Sequence, residues 1–423
     1  MNTKNDQQVI FGQREQTRPY IYELDLMRPV TAVTVVAVHV LAFTQSLNHT
    51  TTGLQVQNGI ITSVHFTRDV FMFITALALT YVYFGKSFSG KRFWAKRSIG
   101  VLVPYCIWSI AYTWVNTSQH SLVAFAKLVL FNILTANASY QLYYILLTIQ
   151  LYIVLPLFLL FLKHIKQHPW RALSISFALQ VFLMYADYRY LQQGTLASSG
   201  VWQVVEAFQD SFLLTYQFYF ILGGLAALFL QQERAFVLRY GKWIVGGFVL
   251  ALAALWVHFL LQVDVYHESL AYATSVLQPM MTFYSPVVII LLCWLACRWA
   301  SRTDRLGHPK GYRFWHTLSD ASFGIYLVHV FILTALLQWV VPFMPEAWPV
   351  ALRVFFTWFL TAGGAAAISI LLMKTPVLSR LVGRSTHWHS SKDANALQEW
   401  FSNPFHRHRE VERKERSGDA QHV

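Results

Sequence analysis

Residues 23–43 read ELDLMRPVTAVTVVAVHVLAF, and this stretch decides the fold. Its two acids and its arginine sit at the front; from Pro29 to Val38 no residue is charged, and the next ionisable group is His39. A bilayer core about 30 Å thick needs roughly 20 mainly apolar residues in helical form. The run meets that requirement as a span over 26–44. Working outward, nine more segments qualify: 63–84, 99–116, 140–162, 171–189, 211–231, 243–262, 276–298, 319–341 and 349–373. The sequence therefore predicts an all-α integral membrane protein of about ten transmembrane helices. A weaker apolar stretch over 121–134 is punctuated by Lys127 and Asn132 and reads as an interfacial or re-entrant helix.

Composition agrees. Of 423 residues 55% are hydrophobic and 13% charged, against roughly 25% charged in a soluble domain. Half the usual polar coat is absent, which excludes a disordered chain, a collagen-like fibre and an ordinary cytosolic enzyme. The three cysteines, Cys106, Cys293 and Cys297, lie in apolar runs and suggest neither a disulfide framework nor a zinc site. A net charge of +13 invites a nucleic-acid reading, but its placement argues otherwise. Of 33 Lys and Arg, all but Arg68, Lys127, Arg189 and Arg353 fall in connections on one side of the predicted bundle. Cytoplasmic loops carry such an excess. Both termini are thus expected in the cytoplasm, and no nucleic-acid partner is expected. The polar first twenty residues, with no small-residue cleavage site after the first apolar run, predict no cleavable signal peptide. The chain divides into an N-terminal cytoplasmic segment (1–21), a membrane domain (22–373) and a basic, His-rich cytoplasmic tail (374–423). The tail is expected to lie against anionic headgroups rather than to hold a metal.

Ionisable side chains inside a bilayer are expensive, so each is a functional candidate. Arg28 and His39 are eleven residues apart, three turns plus about 20°, and about 16 Å along the axis. They share nearly one face, Arg28 towards the cytoplasmic side and His39 deeper. Asp25, three residues before Arg28, is placed to hold its guanidinium. A guanidinium recognises a phosphate-bearing donor, and a neutral imidazole accepts a proton. A relay across the membrane and a plain positive-inside anchor with an interior histidine both fit this spacing. Arg68 and Asp69, beside His65 at the outer end of the second span, read as supporting groups for an incoming substrate or as a surface ion pair. Ser322, Tyr326 and His329 recur at i, i+4 and i+7 on one helix face. They read as interhelical hydrogen-bonding residues, with His329 a couple of turns in from the cytoplasmic side. Lys91, Arg92, Lys96 and Arg97 form a basic loop, suited to phosphate binding or to anchoring alone.

Four stretches together resemble the bacterial membrane acyltransferase-3 family. They are Leu24-Asp25-x-x-Arg28 with His39; Lys91-Arg92-Phe-Trp-Ala-Lys96-Arg97 leading to Pro104-Tyr105; Tyr140-Gln-Leu-Tyr143-Tyr144 continuing to Leu155-Pro156-Leu157; and Ser322-Phe-Gly324-Ile-Tyr326-Leu-Val-His329. The resemblance runs over about 22–373. It implies transfer of an acyl group, usually acetyl and in some members succinyl, from acyl-CoA as co-substrate to a hydroxyl of a surface glycan at the bacterial plasma membrane. It also implies that Arg28 and His39 are the essential pair. On that footing Arg28, Lys91, Arg92, Arg97 and His329 are the expected acyl-CoA contacts, and Asp25, Arg68, Asp69, Thr75, Tyr144, Ser322 and Tyr326 support them. No permanently bound cofactor and no metal are expected. Residues 23–45 further resemble members that acylate poly-N-acetylglucosamine exopolysaccharide. Two departures stand out. Where the pattern has Phe-Phe-x-x-Ser-Gly, this chain has Phe71-Met-Phe73-Ile-Thr75-Ala76, which keeps a hydroxyl but replaces the glycine that permits close backbone approach. Pro29 follows Arg28 and either starts the helix or kinks it. A flippase or export partner for a lipid-linked glycan is the alternative; its hallmark, a repeat with helices broken at mid-membrane, is absent from the sequence. A catalytically silent assembly partner is a third reading.

Overall fold

The computed structural model describes residues 18–118, 121–192, 194, 200–305 and 307–384. Most of the N-terminal segment and most of the basic tail lie outside them. The helices in chain order are α1 (Glu23–Phe43), α2 (Thr51–Val64), α3 (Thr67–Tyr83), α4 (Gly90–Arg97), α5 (Val103–Asn116), α6 (Leu122–Thr135), α7 (Tyr143–Ile165) and α8 (Pro169–Ala186). There follow α9 (Gly200–Phe208), α10 (Gln217–Leu228), α11 (Leu230–Arg239), α12 (Gly241–Leu260), α13 (Leu270–Ala273), α14 (Pro279–Ala300), α15 (Tyr312–Trp339) and α16 (Val350–Met373). The described residues hold no β-strand, only an isolated bridge between Thr303 and Pro309. With no water in a bilayer to bind free backbone groups, an all-helical build is the expected solution.

Among the described residues, eight helical stretches are long and apolar enough to cross a membrane. A ninth results if Gly200–Ser211 and Leu213–Leu228, bent by 47°, count as one span. Each of the ten predicted segments is mainly helical, with breaks at 65–66 in the second and at 212 in the sixth. The fifth, α8, stays outside the eight because Arg171, Ser174, Ser176 and Gln180 dilute its apolar run. Two of these are structural: Ser176 Oγ donates to Gln217 Oε1 at 2.6 Å, and Gln180 Nε2 donates to the Thr215 carbonyl at 2.6 Å. The weak apolar stretch is α6, fourteen residues long.

Three packings position the interior. α1 packs on α15 most extensively, α15 packs on α16, and α3 packs on α10. The α3–α10 contact answers the missing glycine in α3. Gly223 of α10 supplies the space instead: a Cβ there would fall 2.3 Å from the Phe73 carbonyl oxygen and 3.1 Å from the Ala76 Cβ. Small residues at crossings let membrane helices approach closely, and here the small residue stands on the opposite helix. Pro29 lies inside α1 as its seventh residue and does not start the helix. At the Arg28 end of the bundle, Arg234 on α11 grips Glu23 with two contacts, 2.6 and 2.8 Å.

Candidate active site

α1 and α15 run parallel, and their contacts mark levels along the bundle. At the first level His316 Nδ1 lies 3.2 Å from the Asp25 carboxylate, which also accepts from the Tyr20 hydroxyl at 2.8 Å. Burial, then the hydrogen bond to Asp25, pushes the Tyr20 phenol above its ordinary pKa, so it stays a donor. His316 Nε2 reaches Asp320 at 3.5 Å, and Arg384 pairs with the same Asp320. At the second level Arg28 and Ser322 face one cavity. At the third the rings of His39 and His329 stack, centroids 5.3 Å apart and planes 20° apart.

The cavity at the second level holds about 290 Å³. Arg28 and Arg97 supply its charge, and no acidic residue lines it. Thr75, Thr148, Tyr144, Tyr152 and Ser322 provide hydroxyls, while Phe71, Ile74, Leu79, Val101 and Phe323 are among its apolar walls. Arg97 is held by aromatic faces, its guanidinium 5.2 Å from the Tyr152 ring centre and 5.7 Å from that of Phe93. Such cation–π contacts orient a guanidinium without neutralising it. Neither Arg28 nor Arg97 pairs with a carboxylate among the described residues.

The cavity at the third level is larger, about 580 Å³, and more polar. His39, His65, Arg68 and Asp210 line it, with Asn137, Ser139, Tyr140 and Gln141 from the loop between α6 and α7. Its cation is already balanced. Arg68 Nη1 lies 2.8 Å from Asp210 Oδ1 and 2.8 Å from the Tyr216 hydroxyl, with the Tyr143 ring centre 5.1 Å from its guanidinium. His39 also packs against Tyr140, ring centres 4.5 Å apart. The loop begins at Ala136, whose φ of 60° is a left-handed conformation that L side chains rarely adopt. Such strained backbone gathers where the surrounding structure imposes it, functional sites among them.

Three side chains line both cavities: Phe71, Tyr144 and Tyr326. Phe71 packs on Tyr144 at 5.2 Å, and Tyr144 meets Tyr326 edge-on at 5.7 Å. This aromatic septum is the shared wall of two chambers, one cationic and one carrying histidines.

The structure redistributes several predicted residues. Asp25 does not pair with Arg28 among the described residues; its oxygens are taken by Tyr20 and His316. Arg68 and Asp69 are not a surface ion pair. Successive helical positions point about 100° apart, so Arg68 turns to Asp210 while Asp69, 5% exposed, turns inward to face Ser285 and Tyr219. His329 is not near the Arg28 end: α15 begins at Tyr312, seven residues before the predicted span, which carries His329 to the level of His39. Its Nδ1 lies 2.7 Å from the Tyr326 carbonyl. That assigns the proton to Nδ1 and leaves Nε2 an acceptor. Ser322 bonds within its own helix, donating to the Ser319 carbonyl at 2.7 Å, and the Tyr326 hydroxyl has no hydrogen-bond partner among the described residues. Neither makes the expected interhelical bond. Thr75 Oγ1 does bond across helices, 3.1 Å from the Tyr144 hydroxyl. Of the basic loop only Arg97 lines the first chamber; Lys91, Arg92 and Lys96 are exposed on α4.

Sequence reasoning missed Asp210, Tyr216, Tyr152 and His316. No spacing rule links Arg68 to a partner 142 residues away. Tyr152 had a usable signal, eight residues or about two turns from Tyr144 on the same helix; His316 had none of this kind, since six residues from Ser322 turn it about 120° off that face.

A family model described as an acyltransferase domain matches residues 21–374. No curated protein and no solved structure matches.

Proposed function

The chain belongs to the acyltransferase-3 family and is a membrane acyltransferase; from that premise we propose that it moves an acyl group, acetyl or succinyl, from cytoplasmic acyl-CoA to a hydroxyl of a cell-surface polysaccharide or glycolipid. One observation carries the reading: two chambers of opposite character meet at a shared wall, with Arg28 in one and His39 in the other. Arg28 and Arg97 have charge to spare, which suits the anionic CoA moiety. The apolar wall beside them suits the acyl chain and pantetheine arm. The second chamber offers the neutral donors and acceptors that a polyhydroxylated sugar requires, with the imidazole of His39 as general base. Both termini face the cytoplasm and the bilayer is the bacterial plasma membrane, so the donor arrives through the Arg28 chamber and the glycan through the His39 chamber.

The test is the ester content of the surface glycan, by proton NMR before and after mild base. The strains are the parent, one lacking this protein, and that strain complemented with wild type or with His39→Ala. Base-labile ester should vanish in the null strain, return with the wild type and stay absent with His39→Ala, and the spectrum then names the acyl group. Unchanged ester in every strain excludes this acceptor. Failure of the polymer to reach the surface in the null strain replaces acylation by export.

A further inference from the structure

The septum contains one polar group without a partner. Phe71 has no polar atom, and the Tyr144 hydroxyl is engaged by Thr75 at 3.1 Å. The Tyr326 hydroxyl is buried and has no hydrogen-bond partner among the described residues, although the residue as a whole is only 5% exposed. Other buried polar atoms also lack partners: Arg97 Nε borders the first chamber alone, and His65 Nδ1 and Gln141 Nε2 border the second alone. Among the described residues only the Tyr326 phenol belongs to the wall that both share. A buried hydroxyl left unpaired forfeits a hydrogen bond it makes in water, and a ligand that brings an acceptor restores it.

The spacing of Arg28 and His39 shows which acceptor that is. They stand about 16 Å apart along α1, and each lines only its own chamber. A general base acts within about 3 Å of the proton it takes. A carbonyl attacked by the oxygen that His39 deprotonates is therefore out of place for Arg28, and its developing negative charge needs another donor. Helix α15 presents Ser322 to the Arg28 chamber and stacks His329 on His39, with Tyr326 between the two.

Resting on the acyl-transfer reading above, we propose that Tyr326 is a catalytic residue: its phenol donates to the acyl carbonyl oxygen at the septum, and the chemical step takes place there. The sugar oxygen bonds to the carbonyl carbon as His39 takes its proton. The carbonyl π pair moves onto the oxygen held by Tyr326, and its return breaks the C–S bond and expels the CoA thiolate. The proton on His39 passes to that thiolate, so thioester and alcohol become ester and thiol.

The experiment uses the full chain in inverted membrane vesicles that contain the endogenous glycan, with labelled acetyl-CoA as donor and label in base-labile polymer as readout. Removing one such donor costs about 10²–10³-fold in turnover. Tyr326→Phe should show that loss with an unchanged half-saturating acetyl-CoA concentration, while Tyr144→Phe, whose hydroxyl is already engaged, loses far less. Equal losses in the two variants reduce Tyr326 to a packing element and overturn the assignment. So does a raised half-saturating concentration with full turnover. Absence of wild-type transfer above a His39→Ala blank removes the acyl-transfer reading and this assignment with it. If Tyr326→Phe does not elute as a single species, fluorotyrosine placed at position 326 keeps ring and hydroxyl while making the donor more acidic. Altered turnover then supports the assignment, and unaltered turnover overturns it.

Discussion

The two chambers differ most in how their charge is balanced. In the larger one Arg68 is neutralised by Asp210 and capped by Tyr216, so the cavity presents hydroxyls, amides and imidazoles. In the smaller one Arg28 and Arg97 border one cavity with apolar walls and no acid among the lining residues. Two guanidiniums bordering one cavity repel, and an anion placed there relieves that repulsion. On the proposed function the comparison matches the chambers to different substrates on electrostatic grounds: the chamber with two guanidiniums to an anion, and the one with the balanced charge to a neutral polyol.

Variants at each end can break or sharpen that division. His39→Ala carries the largest expected effect. A general base supplies about 10²–10⁴-fold, so turnover should fall by that factor with little change in donor saturation; a variant keeping a tenth of the activity would falsify the base assignment. Arg28→Lys keeps the charge but loses the two-pronged geometry. It should raise the half-saturating acetyl-CoA concentration about tenfold, equivalent to about 1.4 kcal/mol, and near-normal kinetics reduce Arg28 to an anchor. Gly223→Ala tests the helix that both chambers share, since α3 carries Arg68 as well as Thr75. The new Cβ meets backbone at 2.3 Å, and overpacking costs about 1–3 kcal/mol, read as a lower thermal midpoint in detergent. Donor and acceptor kinetics should worsen together; a change in one alone divides the chambers more sharply than drawn here. The smallest effect belongs to Arg92→Ala. Its charge is exposed on α4 and screened within about 10 Å at ordinary salt, so donor saturation should stay within about twofold. A larger shift in vesicle kinetics extends the donor site out of the cavity and onto that helix.

Much of this was legible in the sequence. Arg28 and His39 stand out because an apolar run makes any ionisable group conspicuous, and because eleven residues close three turns. The helical class followed from the same runs. The chamber walls were not legible. Arg68 and Asp69 are adjacent in sequence, which suggested a pair, but on a helix adjacent side chains diverge, and the true partner sits 142 positions on. His329 was misplaced because the span was counted from its apolar part, whereas α15 begins at Tyr312 with polar residues outside that run. The tight α3–α10 crossing was sought at Ala76, and its room comes from Gly223 on the other helix. For Arg68 and for the crossing the missing information was a contact between distant segments, and for His329 it was a helix start outside the apolar run, neither of which periodicity encodes.

The pairing of α1 with α15 also governs how the protein comes into being. Asp25 and His316 meet across 291 positions of chain, so α1 waits through the synthesis of all the intervening chain before α15 can cover its polar face. Until α15 is delivered, Arg28 and His39 line an open seam rather than two cavities. Premature termination before residue 312 leaves that seam unfilled, an incomplete bundle of the kind that quality-control proteases recognise. Biogenesis thus withholds the two chambers until α15 has been made.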